Sequence, residues 1–161
     1  MYNREVMATQ AELKEIAKKR RLTAKRMLEC QDWEMAIYMM AMSLELALKA
    51  ASCHALRLES YPESSDPNDT YFKSHNFDRL LRISGMSDIF SVRIPMIDQD
   101  AFDNWGIFTQ VFLFPDKDYV AMRYDPRMLA SFTEAKAREL YEAFYEDEHS
   151  IMKTMIRHHR W

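Results

Sequence analysis

The chain has 161 residues and a formal net charge of −3. That length suits one domain able to bury roughly two thirds of its unfolded surface, and the charge gives no global case for nucleic-acid binding, so any such case must rest on a local patch. Two glycines and two cysteines argue against a hairpin-rich fold and against a disulfide framework. Thirteen methionines suit an adaptable helical core.

The opening segment is charged and amphipathic, unlike a signal peptide. Together with the scarcity of cysteine, it leads us to expect a reduced, cytoplasmic protein. A first helix is predicted over residues 9–31, with Leu13, Ile16, Ala17, Ala24, Met27 and Leu28 on its apolar stripe. Its middle carries Lys14, Lys18, Lys19, Arg20, Arg21, Lys25 and Arg26 against the single local acid Glu15. Such a run reads either as a phosphate-binding surface or as a solvated helix face. No aromatic residue interleaves it to stack a base.

Residues 32–58 form the longest apolar segment. Trp33, Ala36, Ile37, Met40, Leu44, Ala47, Leu48 and Ala51 recur at helical spacing on one face. Met35, Met39, Met42, Leu46, Ala50 and Cys53 form a second face, and a helix apolar on two faces is expected to be covered on both. Asp32 is placed to cap it. Glu45 and Lys49, acid first and one turn apart, form the polar interruption and are spaced for an ion pair. Because that pair lies mid-length, no membrane span is expected.

A polar loop with two prolines follows over residues 59–74. A short helix is predicted over 75–84, ended by Gly85, and a fourth over 98–112, capped by Asp98 or Asp100 and carrying Phe102, Trp105, Phe108 and Phe112. Residues 116–130 read as irregular, with Pro126 as a breaker. Ser131 and Glu134 then give a capping-box signature for a last helix reaching residue 158. The reading is one all-α domain over residues 1–161, an antiparallel up-down bundle of four to five helices. No metal spacing is present among the histidines, no glycine-rich phosphate loop exists, and no cofactor is expected.

Three stretches taken together resemble a known family. They are AIYMMAMSLELALKA (36–50), SHNFDRLL (74–81) and YVAMRYDP (119–126), ahead of a long final helix. In this order they look like a HEPN domain, the higher eukaryote and prokaryote nucleotide-binding domain. The resemblance implies a helical bundle, a homodimer, and often a minimal nucleotidyltransferase partner in a toxin and antitoxin pair. Its site would comprise Glu45, Lys49, His75, Tyr119, Arg123 and Tyr124, with Lys49 and Arg123 receiving phosphate and a tyrosine stacking a base.

Many members are metal-independent ribonucleases with an arginine four to six residues before a histidine. No arginine here has a histidine at that spacing, so the expectation is nucleotide or RNA binding without efficient cleavage. Each of these residues also has a structural reading. Glu45 with Lys49 would be an ion pair beside the core, Arg123 would pair with a carboxylate such as Glu45, His75 would cap its helix or bond to a loop carbonyl, and Tyr119 and Tyr124 would pack at the rim. Two other functions stay open: a helical module that binds a protein partner, and a divergent ribonuclease using His75 with Arg79 or Arg123.

Overall fold

A computed structural model describes residues 8–62, 72, 74–112 and 119–159. The fold is all-α, with no strand among the described residues. Helix α1 (Gln10–Glu29) begins at a capping box: Thr9 Oγ1 accepts the Glu12 amide at 3.2 Å, and Glu12 accepts the Thr9 amide at 2.8 Å. A three-residue turn through Gln31, whose φ of 60° is left-handed, reverses the chain into α2 (Trp33–Leu56). The two helices therefore pack antiparallel. Small side chains let the two backbones approach: Ala17 and Ala24 on α1 and Ala36, Ala47 and Ala51 on α2 are all buried, and Ser43 Oγ donates to the Ala17 carbonyl at 2.7 Å.

Helix α2 is the axis of the molecule. It is the one helix among the described residues long and apolar enough to cross a membrane, yet 78% of that window is buried inside the bundle. Its first predicted face is buried apart from half-buried Trp33. The second is graded: Ala50 and Cys53 are buried, Met39, Met42 and Leu46 half-buried, and Met35 exposed. The helix ends at Leu56, with Arg57 in the left-handed conformation, rather than at residue 58. Most of the predicted polar loop lies outside the described residues.

Helix α3 (Phe77–Ser84) is capped by Asn76, which accepts the Arg79 amide at 3.1 Å, and closed by Gly85 at φ 75°. Thus Asn76, not His75, caps it. Residues 86–97, which carried no sequence prediction, form α4. It comprises a turn (Met86–Asp88), a π-helical segment (Ile89–Arg93) and a final turn (Ile94–Ile97). Pro95 has no N–H to continue the ladder, and just before it the helix widens so that Ile94 donates to Ile89. Helix α5 (Gln99–Phe112) is capped by Asp98, Oδ1 accepting the Ala101 amide at 3.0 Å.

The predicted irregular stretch contains a 3-10 helix (Tyr119–Tyr124) and α6 (Pro126–Ser131), capped by Asp125. The predicted continuous last helix is two. Residues 134–146 form α7, an α-helical part (Glu134–Tyr141) running into a π-helical turn (Glu142–Glu146), and α8 spans Ile151–His159. The proposed capping box at Ser131 is absent; Thr133 caps α7 by accepting the Lys136 amide at 3.3 Å, while Ser131 Oγ turns back to the Met128 carbonyl.

Both π-helical turns bring a phenylalanine onto α5. Phe90 stacks on Trp105 at 4.2 Å, and Phe144 on Phe108 at 6.0 Å. Between α7 and α8 the chain is held by a polar knot. Asn104 Nδ2 donates to Asp147 and to the His149 carbonyl, and His149 Nδ1 donates to Asp98 at 2.9 Å. Sequence reading missed this knot because its members lie 43 to 51 residues apart.

Candidate functional site

The site is built on the polar stripe of α2. Tyr38, Glu45 and Lys49 lie seven and four residues apart, which places them on one face of the helix. Glu45 is 4% exposed. A carboxylate so deeply placed must be fully hydrogen-bonded to remain charged, and three donors meet it. Lys49 Nζ lies 2.8 Å from Oε1. His75 Nδ1 donates to the carboxylate at 2.9 and 3.0 Å. The Tyr119 hydroxyl donates to Oε2. Burial pushes the Glu45 carboxyl up, but the His75 hydrogen bond, the Lys49 charge and the Tyr119 hydroxyl outweigh it and hold the group below its ordinary value.

Each donor is placed by its own surroundings. Lys49 lies against the Tyr61 ring, 5.3 Å from its centroid. Tyr119 is buried, stacked on Phe77 at 5.2 Å, while Tyr38 lies tilted at 5.5 Å. The His75 ring is half exposed and meets the Tyr119 ring edge-on at 6.2 Å. With Nδ1 donating to Glu45, the acceptor of a neutral His75 ring is Nε2.

Arg123 does not reach Glu45. Its guanidinium lies 4.8 Å over the Tyr38 ring, on the wall of a groove of about 350 Å³ lined by Asp32, Glu34, Tyr38, Met122, Leu129 and Phe132 among others. Tyr124 is 80% exposed and makes no part of the cluster. The structure thus joins Glu45, Lys49, His75 and Tyr119 directly, brings Arg123 to them through Tyr38, and leaves Tyr124 outside. Tyr38 was missed in the sequence, although its spacing to Glu45 was the available signal.

The chain matches no family model, no curated protein and no solved structure. Among the described residues no three His, Cys, Asp or Glu side chains converge as metal ligands would. Cys53 is buried, and burial pushes its thiol up, the reverse of what a nucleophile needs. The cluster as found combines an oriented imidazole, a guanidinium plane on an aromatic ring, and a groove with apolar walls and two carboxylates.

Proposed function

We propose that the protein is a HEPN-type helical bundle that binds a nucleotide, or the exposed nucleotide of an RNA, in the groove beside Arg123. The observation that carries this is the 3-10 helix (Tyr119–Tyr124): Tyr119 locks it to Glu45, and Arg123 from the same turn is laid on Tyr38 at the groove wall. A guanidinium held by its face keeps its edge N–H groups for a phosphate. Met122, Leu129 and Phe132 offer apolar surface for a base, and Asp32 and Glu34 offer acceptors for ribose hydroxyls or exocyclic amines. Glu45, Lys49 and Tyr119 act as the frame that positions His75 and the turn. A homodimer, a cytoplasmic setting and a nucleotidyltransferase partner belong to the same reading.

Calorimetric titration with mononucleotides tests it. Binding is expected, with Arg123→Ala weakening it about tenfold or more, the worth of a charged hydrogen bond. Absence of binding by the unaltered protein at millimolar nucleotide removes the reading. A partner-binding module is the second reading, favoured by the exposed apolar side chains Val92, Met96 and Ile97 on α4. Its check is co-purification with a neighbouring gene product.

A further inference from the structure

The basic run of α1 is not absorbed by the groove. Lys14, Lys18, Arg21 and Lys25 are spaced by four, three and four residues, so they form one row about 16 Å long. The first three line a concavity of about 270 Å³ whose apolar surface comes from Ala17, Met152 and Ile156. Within that run no aromatic residue was available to meet a base, but the fold supplies one from far along the chain. Tyr145, in the π-helical turn of α7, lines the same concavity and carries the Arg21 guanidinium 3.5 Å above its ring. On the same ring, the Lys153 ammonium lies 5.5 Å from the centroid. Glu15 is the only acid in the lining. Lys25 is partly offset by Glu146 at 3.6 Å, an exposed pair of little worth.

From this juxtaposition we infer that the α1 row and the Tyr145 concavity form a second site, which takes the phosphodiester backbone of single-stranded nucleic acid. Lys14, Lys18 and Arg21 neutralise successive phosphates, and one base enters the apolar floor beside the stacked guanidinium. An acidic protein segment would satisfy the cations alone. The apolar concavity beside a planar cation favours an anion that carries a planar ring. The concavity shares no lining residue with the groove at Arg123.

The test is fluorescence anisotropy of a labelled 12-nucleotide oligouridylate across a salt series, with the intact protein and with Lys14→Gln/Lys18→Gln, whose helix content is checked by circular dichroism. Three neutralised phosphates predict a slope of log K on log salt near −2, falling to about −0.7 in the double variant. Affinity at low salt should fall at least tenfold. An unchanged slope and affinity in the variant, or no binding by the intact protein, overturns the inference. So does displacement of the oligonucleotide by polyglutamate of equal charge. A mononucleotide titration of the same variant reports on the groove and is expected to be unchanged. If mononucleotide fails to bind the intact protein while the oligonucleotide slope holds, the groove reading alone falls.

Discussion

At the scale of single residues, Glu45 decides the character of the site. It is a buried charge whose three donors come from α2, the segment leading into α3 and the 3-10 helix. Removing it strands Lys49, whose side chain is 13% exposed, and leaves the buried Tyr119 hydroxyl without its acceptor. Glu45→Ala should therefore cost about 3–5 kcal/mol in denaturant unfolding. Glu45→Met/Lys49→Met should recover much of this, but not the share of roughly 1 kcal/mol belonging to Tyr119. The same carboxylate sets an acid limit. Its folded value lies below the ordinary 4.5, so its contribution is present above that pH and is lost as pH falls through the folded value. The stability difference between the protein and Glu45→Gln should narrow below about pH 4.5. The opposite sign holds at His149, which Asp98 holds above its ordinary value: that pair contributes below about pH 6.5 and fades as pH rises through the raised value.

At the scale of elements, the helix that begins at Thr133 rather than Ser131 gives a direct check. Thr133→Ala should cost about 1 kcal/mol, the usual worth of an N-cap, and Ser131→Ala distinctly less, measured by thermal or urea unfolding. Helices whose pattern lay within one segment were legible in the sequence: α1, α2, α3 and α5 stand within two residues of their predicted limits. Residues 86–97 were not, because Pro95 masks a helix that continues by widening. The break at 147–150 was hidden for the opposite reason, since the apolar spacing runs on across it while Asp147, Asn104 and His149 turn the backbone. Of the candidate site, the Glu45 and Lys49 pair was readable from spacing alone. The destination of Arg123 was not, because a guanidinium satisfied by an aromatic face leaves no charge partner to look for.

At the scale of the whole molecule, the surface is uneven. One end of α4 exposes Val92, Met96 and Ile97 at 52%, 80% and 66%, while the basic row lies on α1. Exposed apolar side chains of this kind contribute little to folding, so Met96→Lys/Ile97→Lys should change stability by no more than about 0.5 kcal/mol. If α4 docks a protein partner or a second copy, that variant loses concentration-dependent association in analytical ultracentrifugation while remaining folded. Nucleotide binding in the groove should be unaffected, since none of these residues lines it.

Glu45 also has a consequence for how the molecule opens. His75 is 30 residues from it in the chain and Tyr119 is 74, and each introduces its own element, α3 in one case and the 3-10 helix in the other. Neither segment can leave the bundle without exposing the carboxylate that the other one needs. Amide protons at the start of α3 and in the turn around Arg123 should therefore exchange with solvent as one cooperative unit. A ligand that clamps Arg123 would then slow exchange around His75 without touching it.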